Sequence, residues 1–119
     1  MTKTVLIVED EPDLAGLLRD VLTEGGLDVV LSTGTAARST AASVSPHAIV
    51  IDYVMPGRNG GQVVDELRQT FDRMPPIILV TGREEVADLA SAVGADAYLR
   101  KPFDVDELTR LVRSLTADG

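Results

Sequence analysis

The sequence predicts an α/β domain built on a doubly wound, five-stranded parallel sheet, and three observations carry that prediction. Short aliphatic runs recur at 5–8, 27–31, 48–51, 77–80 and 97–99. Three of these are nearly continuous, without the polar alternation of a half-exposed strand, so both of their faces must be covered. Segments with apolar residues at helical spacing lie between and after the runs, and strand and helix alternating in this way imply parallel pairing with helices on both faces.

Taken in order, run 5–8 meets Glu9, Asp10 and Glu11 at once, and Glu11, Pro12 and Asp13 suit the first turn of a helix. Leu14, Leu17, Leu18, Val21 and Leu22 then repeat at three and four, and Gly25-Gly26 supplies the stop. Run 27–31 is the second strand, and the Ala-rich segment 35–44 is the second helix. Run 48–51 is the third strand, closed by Asp52, and Val63, Val64 and Leu67 mark the third helix. Run 77–80 ends at Thr81 and is followed by a second Ala-rich helix over 84–93. Run 97–99 leads to Lys101, and Leu108, Leu111, Val112 and Leu115 form the last helical stripe. Right-handed crossovers leave few topologies, of which the flavodoxin-like (βα)5 arrangement with strand order 2-1-3-4-5 is expected. No linker, repeat or low-complexity tract interrupts the chain, so one domain is expected over residues 1–119.

Composition narrows the function. At 45% hydrophobic, the chain can bury a sizeable aliphatic core. Tyr53, Tyr98, Phe71 and Phe103 are its aromatics, too few for a stacking platform on single-stranded nucleic acid. A formal charge of −8 argues against direct contact with nucleic acid or with an anionic membrane. Without cysteine, disulfides, thiolate catalysis and zinc–thiolate sites are excluded, which fits a cytoplasmic location. The opening MTKTVLIVED is too short and too acidic for a signal peptide or a membrane span.

In open α/β sheets, ligands bind beyond the carboxyl ends of the strands, where strand order reverses. Glu9 and Asp10 follow strand 1, Asp52 closes strand 3, Thr81 closes strand 4 and Lys101 follows strand 5, so all five converge on one rim. Three carboxylates there suit a hard divalent cation such as Mg²⁺, which takes oxygen ligands and keeps several waters. With no His or Cys nearby, zinc is disfavoured. Glu9 and Asp10 alone could equally be an exposed helix start, and Asp52 tips the balance toward a cation. A carboxylate beside Mg²⁺ can attack a phosphoryl group, with Lys101 as a point charge on one phosphoryl oxygen and Thr81 donating to another. His47, the one histidine, is expected before strand 3 as an exposed residue remote from the rim, so any phosphate must come from a separate donor.

The stretches LIVEDEPD, IVIDYVMPGRNG, ILVTG and GADAYLRKPF resemble the receiver domain of two-component response regulators, over essentially the whole chain. The resemblance implies that Asp52 is the phospho-acceptor and that Thr81 and Lys101 contact the phosphoryl group. It implies Mg²⁺ bound by Asp10 and Asp52 directly, by the backbone carbonyl of Val54, and by Glu9 mainly through water. Tyr98 matches the aromatic whose rotation accompanies activation, and the bond before Pro102 is expected to be cis. The implied partners are a sensor histidine kinase or histidine phosphotransfer protein, and an output domain or protein contacted through helix 4, strand 5 and helix 5. A homodimer formed on phosphorylation is a further partner the resemblance allows. Such a domain catalyses its own phosphorylation and dephosphorylation and is not a turnover enzyme.

Departures from the commonest pattern are Glu9 for Asp, Asn59 for Asp and Gly82 for Ala. Haloacid-dehalogenase-type phosphatases also combine Asp, Thr, Lys and Mg²⁺, but they need a second Asp two residues beyond the nucleophile, where this chain has Val54. A receiver fold that works without phosphate is opposed by the presence of every key residue. A nucleotide or flavin binder is opposed by the lack of a Gly-rich loop after strand 1.

Overall fold

Five parallel strands form the central sheet of the computed structural model, which describes residues 2–117. They are β1 (Thr4–Val8), β2 (Asp28–Ser32), β3 (Ala48–Asp52), β6 (Ile77–Thr81) and β7 (Ala97–Arg100), in the order β2-β1-β3-β6-β7. This is the predicted order, the fourth and fifth predicted strands being β6 and β7. Five helices join them: α1 (Pro12–Glu24), α2 (Ala37–Val44), α3 (Gly60–Thr70), α4 (Val86–Val93) and α5 (Val105–Thr116).

The aliphatic runs are uniform because both faces are buried. Val5 and Ile7 face one core with Val50, Ile78 and Val80, beneath Leu18 and Leu22 of α1 and Leu108 and Val112 of α5. Leu6, Val8, Ile49 and Ile51 face a second core with Ala37 and Ala41 of α2 and Val63, Val64 and Leu67 of α3. The period of two is thus present, but hidden by apolar side chains on both sides. At the edge, only Leu99 of β7 is buried, while Tyr98 and Arg100 are exposed.

Three elements differ from expectation. The second strand starts one residue later than its apolar run, because Leu27 packs into the core ahead of it. The Ala-rich helices are shorter, starting at Ala37 and Val86. A small antiparallel ribbon, β4 (Val54–Met55) with β5 (Arg58–Asn59), was not expected. Its turn is Pro56-Gly57, with Gly57 at φ 78°, which suits a type II turn.

His47 also corrects its expectation. It lies at the far end of β3 from the rim, but it is partly buried, and its Nδ1 accepts the Thr4 N–H at 3.0 Å. Its own N–H donates to the Thr4 carbonyl at 2.8 Å, so His47 stitches β3 to the start of β1.

Candidate functional site

The rim at the carboxyl ends is built by chain reversals that each end a strand with a polar residue. Asp52 follows four buried residues of β3 and is itself 6% exposed. Its Oδ1 accepts the Val54 N–H at 3.1 Å, an Asx-type turn that leads the chain into the ribbon. Asn59 then caps α3: its side chain accepts the Gln62 N–H while the Gln62 side chain accepts the Asn59 N–H. Asn at this position is therefore an N-cap. Gly60 follows because a Cβ there would lie 3.0 Å from both the Asp52 carbonyl oxygen and Tyr53 Cα, and neither backbone atom can move aside.

Lys101 sits at the centre of the arrangement. Its Nζ donates to Asp52 Oδ2 at 2.9 Å and to Glu9 Oε1 at 3.1 Å, joining residues 49 and 92 positions away in sequence. The Lys101 N–H is fixed by the Thr81 carbonyl at 2.8 Å, and the Lys101–Pro102 bond is cis. Thr81 is fully buried, and its Oγ1 accepts the Arg83 N–H at 3.3 Å. Glu9 extends the β1–β2 ladder through its N–H to the Ser32 carbonyl, and its Oε2 accepts the Glu11 N–H at 3.3 Å.

Lys101 and Glu9 are both shifted by their surroundings, for different reasons. Burial by itself would lower Lys101, but the hydrogen bond and charge of Asp52, then those of Glu9, outweigh it and hold the ammonium above its usual range. Burial, and after it the charge of Asp52, raise Glu9; the Lys101 contacts and the Glu11 N–H oppose this without cancelling it. Glu9 stays raised because its burial and the Asp52 charge outweigh the share of Lys101 that it receives.

A pH signature follows for the metal-free protein. Glu9 has its native value above the ordinary 4.5, so the folded state holds this proton more tightly than the unfolded state does. The associated stability is full below pH 4.5 and is lost as pH rises through the raised native value. Glu9→Gln is expected to flatten this part of the stability profile, read as the urea midpoint between pH 4.5 and neutrality. An unchanged slope would count against the assignment.

The expected metal-binding residues lie on this rim without forming a closed cage. Among the described residues, no group of three or more His, Asp or Glu side chains is arranged to hold a metal ion. The donor chemistry nonetheless fits Mg²⁺, which commonly uses one or two carboxylates, phosphate oxygens and water. Asp10 keeps one oxygen on the Gly34 N–H, Oδ1 at 2.9 Å, and its other oxygen takes no hydrogen bond among the described residues. Asp52 is the second expected carboxylate, and Val54, whose backbone carbonyl is the third expected ligand, is an exposed ribbon residue. Tyr98 is 46% exposed on edge strand β7.

Two features here escaped the sequence reading. One is the Gly34 N–H, since a glycine in STGT reads as an ordinary turn. The other is an apolar groove of about 350 Å³ beside Lys101, lined by Leu14, Leu17, Pro102, Phe103 and Val105. Leu17 is half-exposed there, in a stripe where Leu18 and Leu22 are buried and Leu14 and Val21 partly buried, and spacing alone gives no sign of it.

Comparison with known proteins places these features in a family. A family model described as the response regulator receiver domain matches residues 5–113. The transcriptional regulatory protein TcrA of Mycobacterium tuberculosis is 37% identical over 97% of this chain and 46% of its own. The DNA-binding response regulator MtrA of Mycolicibacterium smegmatis is 34% identical over 96% of this chain and 50% of its own. The chain therefore spans about half the length of these curated relatives. Among solved structures, the receiver domain of a Pseudomonas aeruginosa sensor histidine kinase, with a magnesium ion coordinated in its active-site cleft, superposes with a TM-score of 0.87 at 27% identity, covering 99% of this chain and all of that one. TrrA of Thermotoga maritima, in complex with Mg²⁺ and BeF, gives a TM-score of 0.83 at 34% identity, covering 96% and 99% of the two chains.

Proposed function

The chain belongs to the response regulator receiver domain family, and from that premise we propose that it is a phosphorylation switch with Asp52 as the phospho-acceptor. The observation that carries the proposal is the Lys101 ammonium, held 2.9 Å from Asp52 Oδ2 on the rim where β1, β3, β6 and β7 end. An Asp52 carboxylate oxygen attacks phosphorus, and a P–O bond forms. The bond from phosphorus to the donor breaks, and the departing imidazole nitrogen, or acyl oxygen of a small acyl phosphate, keeps the electron pair. Lys101 moves little and compensates charge on one phosphoryl oxygen, while Thr81 exchanges its contact with the Arg83 N–H for donation to another. A Mg²⁺ ion held by Asp10, Asp52 and the Val54 carbonyl, with Glu9 reaching it through water, would supply the remaining charge neutralisation.

The readout is a population shift. A phosphoryl group adds about −1.5 to −2 charges at Asp52, which favours the arrangement with Thr81 drawn toward it. Tyr98 then turns from its exposed position into the space Thr81 leaves, and the α4–β7–α5 surface changes shape. That surface would engage the output partner, for which the transcriptional regulators among the relatives offer one model. The donor is a histidine kinase or phosphotransfer protein; we place this single receiver domain, over 1–119, in the cytoplasm. No helix among the described residues is long and apolar enough to cross a membrane.

Amide hydrogen exchange with and without beryllofluoride and Mg²⁺ tests the switch. Protection is expected to change over residues 81–100, with Thr81→Ala abolishing the change at Tyr98. Identical exchange across that segment in the wild type would overturn the mechanism.

A further inference from the structure

The Gly34 backbone is the feature of this rim that the switch mechanism leaves unexplained. Gly34 follows β2, 24 residues from Asp10 in sequence, yet its N–H donates to Asp10 Oδ1 at 2.9 Å. A Cβ on residue 34 would stand 3.0 Å from Met55 Sδ and 3.4 Å from Met55 Cε. Met55 is buried, and it directly follows Val54 in the β4–β5 ribbon. One residue therefore touches both loops that carry expected Mg²⁺ ligands. Its amide holds the Asp10 carboxylate, and its bare Cα leaves room for the buried Met55 side chain of the ribbon that also bears Val54.

We propose that Gly34 is a positioning residue for Mg²⁺, orienting the Asp10 carboxylate through its N–H and setting the approach of the Val54 ribbon through its missing side chain. This rests on the reading of Asp10 and Val54 as ligands. A ligating carboxylate needs its second oxygen fixed, because an unrestrained one must be ordered when the ion binds. Outer partners of this kind typically contribute about 10- to 100-fold in metal affinity. An alanine methyl at 34 must push Met55 aside by a few tenths of an ångström or move the Gly34 amide away from Asp10. Movement of the amide disturbs the Asp10 carboxylate directly.

The test is Mg²⁺ titration by calorimetry on the wild type, Gly34→Ala and Gly16→Ala, with the Gly34 amide followed by ¹H–¹⁵N NMR in the wild type and Asp10→Asn. Gly16 is the control because a Cβ there meets nothing closer than Arg19 Nη2 at 3.8 Å. Gly34→Ala is expected to weaken Mg²⁺ binding about tenfold while Gly16→Ala leaves it unchanged. The Gly34 amide resonance is expected to shift in Asp10→Asn and on Mg²⁺ addition to the wild type. With acetyl phosphate, Gly34→Ala should raise the Mg²⁺ concentration for half-maximal rate and recover the wild-type rate at saturation. Wild-type Mg²⁺ affinity in Gly34→Ala, or a Gly34 amide indifferent to Asp10→Asn, would overturn the inference and leave the switch intact. A wild type that binds no Mg²⁺ would overturn the ligand reading itself, and the inference with it.

Discussion

Incubated with acetyl phosphate and Mg²⁺, the intact chain is expected to gain the mass of one labile phosphoryl group, and Asp52→Asn is expected to gain none. A carboxamide at 52 keeps the size and the Asx-type acceptor toward the Val54 N–H, but it removes the anionic nucleophile. The fold should therefore survive while the product falls below detection by intact mass. Omitting Mg²⁺ should lower the yield of the wild type sharply, because phosphoryl transfer at this rim relies on charge neutralisation more than on covalent assistance. Modification of Asp52→Asn to the wild-type extent would move the acceptor to another acid, the other rim carboxylates being Glu9 and Asp10. No gain by the wild type, from acetyl phosphate or from a phosphorylated histidine protein, would remove the switch.

Lys101→Ala is expected to be the most destabilising change at the rim, by roughly 2–3 kcal/mol. Removing one partner of a buried ion pair typically costs 3–5 kcal/mol, and Lys101 falls short of that because it is 25% exposed. The loss arises because Glu9 and Asp52, 4% and 8% exposed in their side chains, are then left facing one another without a cation. The same physics predicts partial rescue: adding Glu9→Gln to Lys101→Ala removes half of the uncompensated charge and should restore more than half of the lost stability. Urea denaturation of the two single variants and the double variant in metal-free buffer measures this coupling. Strict additivity would mean that the bridge is an incidental contact.

Much of this architecture is legible in the sequence. Runs 48–51 and 77–80 are aliphatic throughout because both sheet faces are covered, and that is a local property of composition. Gly25 and Gly26 ended α1 where the periodicity stopped, with Gly26 at φ 91°. The rim residues were found because a strand's carboxyl end can be located from its own run, and chain order then brings the ends together. His47 was misjudged because a lone histidine in a polar stretch gives no sign that its Nδ1 meets a backbone amide 43 residues away. The ribbon at Val54–Asn59 was missed because two-residue strands are too short to show a period.

What the sequence determined by itself was the alternation of strands and helices, the rim and the chemical inventory on it, since periodicity and residue type are written locally. The partnerships were decided only in three dimensions. Lys101 divides its ammonium between Glu9 and Asp52 instead of serving Asp52 alone, and burial with the charge of Asp52 still raises Glu9 above its ordinary range. The Gly34 amide takes one oxygen of Asp10. Backbone donors carry no side-chain signature, and a shared cation depends on distances between strand ends that only the packed sheet sets.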